Sequence, residues 1–212
     1  LIGVLVQLQV RRIMLPDTLG LLNPREVSHF LKLITSEYPD THFDFHAHND
    51  YDLSVANVLE AIYNGVGGIH TTVNGLGERA GNAPLESVIA VLKDFTDFKL
   101  NVKENKIYRV SKLVEQFSGQ HIPANKPVVG ENVFTQTAGI HADGDNKKNL
   151  YFNDLLPERF GRQRKYALGK TSGKANIVKN LQELGISLEP DELTKVTQRI
   201  IELGDKKERV TT

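Results

Sequence analysis

Three times in its first 95 residues the chain runs through the same sequence of signals. Each time a short strand-like segment is followed by a tight connection and an apolar stripe at helical spacing. Residues 11–15 (RRIML) read as a strand and lead into a Pro-Asp-Thr-Leu-Gly turn at 16–20. Asn23 then suits a helix N-cap, Pro24 the first helical position and Glu26 the third, as in a capping box. Val27, Phe30, Leu31, Leu33 and Ile34 follow at helical spacing. Residues 41–48 (THFDFHAH) alternate strictly, as strands do. Residues 53–64 place Val55, Val58, Leu59 and Ile62 on one helical stripe ended by Gly65. Residues 68–74 read as a third strand and 84–95 as a third helix. Strands joined through helices by such short connections must run parallel. The fold class expected is therefore α/β with a parallel sheet. Residues 1–10 read as the end of an earlier helix.

The second half has a different character. A helix is expected at 107–117. Residues 118–144 are rich in Gly, Pro, Asn and Thr, and two further helices are expected at 172–184 and 190–203. The boundary is placed near 96–120, giving units 1–98 and 99–212. Lys+Arg and Asp+Glu are both 26, so no basic surface points to nucleic acid. The absence of Cys removes disulfides, thiolate metal sites and a Cys nucleophile. No apolar run approaches the roughly 20 residues of a membrane span, and no signal peptide is recognisable. Neither a nucleic-acid nor a membrane partner is expected, and the compartment expected is the cytoplasm.

Chemistry concentrates in three places. On residues 41–48, side chains two apart share a face. Asp44, His46 and His48 therefore point one way, and Phe43, Phe45 and Ala47 the other. In a closed parallel barrel the Phe row would pack under the outer helices. The polar row would line the interior near the C-terminal strand end, where such barrels carry their active sites. Two imidazoles there form either a pair of divalent-metal ligands or a hydrogen-bonded structural pair. The loop Asn74-Gly75-Leu76-Gly77-Glu78-Arg79-Ala80-Gly81-Asn82 either turns its free N–H groups to an anion or makes a tight turn with a Glu78–Arg79 ion pair. It lacks the dinucleotide Gly-x-Gly-x-x-Gly spacing. In Gly139-Ile140-His141-Ala142-Asp143-Gly144, His141 is either an acid/base group oriented by Asp143 or a surface His. Gly169-Lys170-Thr171 fails the phosphate-loop pattern because Arg164 stands where its first Gly belongs. The basic stretch around Arg162, Arg164 and Lys165 is either a solvated face or a phosphate contact.

Leu15-Pro16-Asp17-Thr18-Leu19-Gly20, Phe45-His46-Ala47-His48-Asn49-Asp50, the loop 74–82 and Thr137-Ala138-Gly139-Ile140-His141-Ala142-Asp143-Gly144 occur in that order. Together they resemble the 2-isopropylmalate, citramalate and homocitrate synthase family. Asn149-Leu150-Tyr151 with the segment 155–162 is most similar to the citramalate branch. The resemblance implies the last three strands of a TIM (β/α)8 barrel followed by small, mainly helical subdomains. It also implies condensation of acetyl-CoA, as co-substrate, with a 2-oxo acid such as pyruvate or 2-oxoisovalerate. It implies a divalent metal (Mg, Mn or Zn) held by His46, His48 and Asn82, and Thr18 on the oxo-acid carboxylate. His141, Asp143 and Tyr151 are implied in proton transfer, with Asn149 and Leu150 on the acyl-CoA side, in a homodimer.

The family's Asp metal ligand and its general-base carboxylate belong to earlier strands, and no Arg-Asp-Gly motif occurs in this sequence. The 212-residue chain alone is therefore expected to be inactive. Hydroxymethylglutaryl-CoA lyases share the two histidines but carry a Cys that this chain lacks. A barrel metallohydrolase would need further metal ligands on later strands. A helical docking role for residues 96–212 is compatible with the enzyme reading.

Overall fold

The computed structural model describes residues 1–136 and 153–206. The chain forms two compact units, Leu1–Ile122 with Pro127–Val129, and Pro123–Lys126 with Gly130–Thr212. The first unit begins with α1 (Ile2–Gln7). It continues through β1 (Ile13–Asp17), α2 (Pro24–Glu37), β2 (Phe43–Ala47), α3 (Ser54–Tyr63), β3 (Gly68–His70), α4 (Leu85–Phe95) and α5 (Ile107–Ser118). The strands form one sheet in the order β1-β2-β3. Both pairings are parallel, with Leu15 opposite Phe45 and His46 opposite His70.

The alternation of β2 divides its two faces. Phe43, Phe45 and Ala47 are buried in one apolar cluster with Val27 and Leu31 of α2, Val58 and Ala61 of α3, and Val88 and Leu92 of α4. Burying side chains of this size gains about 1.5–3 kcal/mol each, so the Phe row anchors the helices to the sheet. Phe30 and Leu33, expected in the buried stripe of α2, are exposed. The sheet contacts a narrower line through Val27, Leu31 and Ile34. Among the described residues no helix is long and apolar enough to cross a membrane.

The start of α2 matches the pattern in its sequence. Asn23 Oδ1 accepts from the Glu26 N–H at 3.1 Å, and Glu26 Oε2 accepts from the Asn23 N–H at 3.0 Å. Asn23→Ala is expected to lower stability by about 1 kcal/mol. Urea unfolding of the full-length protein measures it, as a shift in midpoint at unchanged slope.

The third strand is shorter than its sequence suggests. After His70 the backbone leaves the sheet, because Thr72 pairs with the segment before α4: its N–H donates to the Ala83 carbonyl and its carbonyl accepts from Leu85. A 3₁₀ turn, Val73–Gly75, follows. Asn74 lies there in the left-handed region at φ 61°. Its N–H donates to Glu86 at 3.0 Å, and its amide joins the carbonyl and hydroxyl of Ser111 on α5.

The second unit holds a parallel pair of two-residue strands, β4 (Thr135–Gln136) and β5 (Lys165–Tyr166), and the helices α6 (Lys174–Glu183) and α7 (Pro190–Asp205). Asn180 on α6 donates to the Tyr166 carbonyl at 2.8 Å, and Asn176 to the Ala167 carbonyl at 3.4 Å. Arg162 donates to the Gly130 and Glu131 carbonyls at 2.6 and 3.0 Å, and stands 5.1 Å from the Phe134 ring centroid. Lys165 pairs with Glu131 at 2.8 Å. Arg162 and Lys165 are thus engaged within the unit.

Candidate metal centre

His46 and His48 occupy the C-terminal end of β2 and the position just beyond it. Their ring centroids are 5.1 Å apart, edge to face. His70 on β3 stands opposite His46 in the register, at 5.7 Å between rings. Burial, then the neighbouring His48 and His70, hold the pKa of His46 below its ordinary value. A His kept neutral in this way presents a lone pair, the form that binds metals.

The loop from β3 to α4 returns along β2. Asn82 forms an antiparallel bridge with His48, and the Ala83 N–H donates to the Ala47 carbonyl. Asn82 Nδ2 donates to the Leu76 carbonyl at 3.0 Å, so its Oδ1 is turned away from that bond. Among the described residues, three buried side-chain atoms at this strand end have no hydrogen-bond partner: His46 Nδ1, His48 Nδ1 and Asn82 Oδ1. Buried polar atoms left unpaired cost about 1–3 kcal/mol each. Three together, each able to offer a lone pair, fit a bound cation. Thr72 Oγ1, two residues past His70, is also buried with no partner among the described residues, and nothing in the sequence singles it out. Among the described residues no three His, Cys, Asp or Glu side chains are grouped to hold a metal. The candidate donors among the described residues are therefore two imidazoles and an amide.

The glycines of the loop shape it around Asn82. Gly81 lies at φ 82°, and a Cβ there would overlap the Gly75 carbonyl oxygen. The N–H groups of Gly75, Leu76, Gly81 and Asn82 all donate to carbonyls within residues 72–78. These four are not free to receive an anion. The expected Glu78–Arg79 pair is also wrong in its main partner. Arg79 lies 3.9 Å from Glu78, which is almost fully exposed, and binds Asp50 instead at 2.7 and 3.1 Å.

Asp44 shares the face of the histidines and is buried. Burial alone would raise its pKa, but hydrogen bonds from Arg12 at 2.8 Å and His42 at 3.1 Å outweigh this and hold it below the ordinary carboxylate value. A side chain at Gly68, opposite Asp44 in the register, would overlap this carboxylate. Thr18 follows directly on β1. The preceding residue, Asp17, caps the turn with its carboxylate on the Leu21 and Leu22 N–H groups at 3.0 and 3.1 Å. The Asp17 carbonyl accepts from the His48 N–H at 3.4 Å, which sets Thr18 at the histidine end of the sheet. His141, Asp143, Asn149, Leu150 and Tyr151 lie outside the described residues.

Residues 1–114 match the HMGL-like family model. The chain belongs to the HMGL-like family. Residues 128–208 match the model described as homocitrate synthase post-HMGL domain-like. The chain is 40% identical over 195 residues to a probable 2-isopropylmalate synthase of Methanopyrus kandleri, covering 92% of this chain and 39% of that protein. It is 40% identical over 199 residues to the 2-isopropylmalate synthase of Sulfurisphaera tokodaii, covering 94% and 52%. It is 38% identical over 194 residues to the (R)-citramalate synthase of Methanocaldococcus jannaschii, covering 92% and 39%. The chain thus spans about two fifths to one half of the length of these relatives. Among solved structures, a Bacillus subtilis HMG-CoA lyase aligns at TM-score 0.52 and 27% identity, covering 57% of this chain and 42% of that one. The parallel sheet and its helices are accordingly part of a TIM barrel.

Proposed function

We propose that the full-length protein condenses acetyl-CoA with a 2-oxo acid, pyruvate or 2-oxoisovalerate, and releases CoA. The observation that carries this reading is the set of three unpartnered buried donors, His46 Nδ1, His48 Nδ1 and Asn82 Oδ1. The synthase names of the curated relatives support it. His46, His48 and Asn82 would hold a divalent ion, which would supply Lewis-acid polarisation of the ketone.

His46, kept neutral by burial, holds its lone pair ready at neutral pH. Asn82, oriented by its bond to Leu76, keeps its oxygen on the same strand end. Thr18, one residue past β1, offers a hydroxyl to the substrate carboxylate. We assign His141, with Asp143 and Tyr151, to proton transfer at the acetyl methyl group and at the oxygen that gains charge. Asn149 and Leu150 are assigned to the acyl-CoA. The methyl proton leaves, a carbon–carbon bond forms to the ketone carbon, the ketone oxygen takes a proton, and water cleaves the thioester. A homodimer in the cytoplasm completes the proposal. The lyase reading shares the barrel, but the chain has no Cys and the relatives at about 40% identity are named as synthases.

Release of CoA by the full-length protein with each oxo acid tests the proposal. Turnover with one of the two, dependent on added divalent ion, is the expected result. Cleavage of hydroxymethylglutaryl-CoA without condensation would overturn it. The isolated 212-residue chain, with three of the eight strands of a barrel, is expected to show no turnover in the same assay.

A further inference from the structure

Arg79 reaches from the loop after β3 to the loops after both other strands. Its Nε donates to Asp50 Oδ1 at 2.7 Å and its Nη2 to Asp50 Oδ2 at 3.1 Å, a bidentate pair. The same Nη2 donates to the Thr18 carbonyl at 2.7 Å. Asp50 lies two residues past His48, and Thr18 lies directly past β1, so one guanidinium joins three βα connections. Asp50 in turn packs on Gly20, where a Cβ would stand 2.7 Å from Asp50 Oδ2 and 3.0 Å from its backbone nitrogen. Gly20, at φ 61°, is thus the close approach that lets the first connection lie against the second. Arg79 itself is held at φ 56°, a conformation that side chains other than Gly adopt at an energetic cost. Strain of that kind persists where surrounding contacts over-determine it, and here those contacts are Asp50 and Thr18.

We propose that Arg79 is a positioning residue that fixes the Thr18 backbone, through Asp50 and the Thr18 carbonyl, in the place where Thr18 receives the substrate carboxylate. This rests on the oxo-acid reading of the site. The bonds of its Nε and Nη2 to Asp50 and the Thr18 carbonyl give Arg79 a positioning role. It sets the register between the residue that meets the carboxylate and the strand that carries the two histidines. Lys in its place keeps the charge but loses the planar fork that makes three bonds at once.

The test uses the full-length protein as wild type, Arg79→Ala, Arg79→Lys, Asp50→Asn and Thr18→Ala, with the double variant Arg79→Ala/Thr18→Ala. Calorimetry gives the affinity for pyruvate and 2-oxoisovalerate in the presence of Mn²⁺, and separately for Mn²⁺ alone. Hydrogen exchange follows residues 18–21 and 49–52. Misplacing a binding group by about 1 Å can cost up to about a hundredfold. Oxo-acid affinity is therefore expected to fall about tenfold or more in Arg79→Ala, Arg79→Lys and Asp50→Asn. Affinity for Mn²⁺ alone is expected to stay within about threefold. In the Thr18→Ala background, Arg79→Ala is expected to add less than about twofold, since the two residues act in series. Exchange in both segments should rise together.

The full Arg79→Ala effect persisting in the Thr18→Ala background would overturn the proposal. So would unchanged exchange in the two segments. A wild type that binds neither oxo acid would overturn the synthase reading instead, and the exchange of the same variants would still decide whether Arg79 ties the connections.

Discussion

His46→Ala and His48→Ala in the full-length protein are each expected to lower divalent-metal affinity by about a hundredfold or more while leaving the protein folded. Substitutions that only touch a ligand's outer partner already cost about 10–100-fold, and in the proposed centre these remove a ligand outright. Folding should survive because neither ring belongs to the apolar cluster built on Phe43, Phe45 and Ala47 on the opposite face. The Nδ1 atoms of both rings have no hydrogen bond among the described residues to lose. Metal titration by calorimetry beside thermal unfolding separates the two effects. Loss of the metal at unchanged melting temperature supports the centre. Unchanged metal affinity in both variants would remove these residues from it.

Gly81→Ala is expected to be the most damaging single-methyl change in the first unit. A left-handed backbone costs a non-glycine residue about 1–2 kcal/mol, and here the added methyl also meets the Gly75 carbonyl oxygen. That carbonyl cannot move freely, because it accepts the Asn82 N–H at 3.0 Å. The loop must open, and Asn82 moves with it. Stability should fall by at least about 2 kcal/mol, and metal affinity should fall with it. Metal affinity at the wild-type level in a destabilised Gly81→Ala protein would show that Asn82 does not contribute to the ion.

The helices and strands of the first unit were largely legible because their signals are local. The capping residues of α2 lie three apart, the two faces of β2 alternate at single-residue spacing, and α5 ends where Gly119 can take a left-handed cap. The shared face of Asp44, His46 and His48 followed from that alternation alone. What stayed hidden depends on register between distant segments. Arg79 has an acidic neighbour in sequence, Glu78, yet its partner is Asp50, 29 positions away. Arg12 meets Asp44 across 32 positions. Both pairings follow only once the strands lie side by side. The third strand looked longer than it is because Thr72 carries a strand-like residue type while its backbone pairs with the segment before α4. The strands β4 and β5, two residues each, are too short to leave a period. The Asn side chains of α6 that bind β5 and the residue after it gave no signal, since Asn is ordinary on a solvated helix face.

The most direct test of the metal centre is an anomalous-difference map from crystals of the full-length protein grown with Mn²⁺. A single strong peak within coordination distance of one nitrogen each of His46 and His48, and within coordination or hydrogen-bond reach of Asn82 Oδ1, is the predicted result. A peak at another part of the barrel, or none beside His46 and His48 at saturating Mn²⁺, would contradict it.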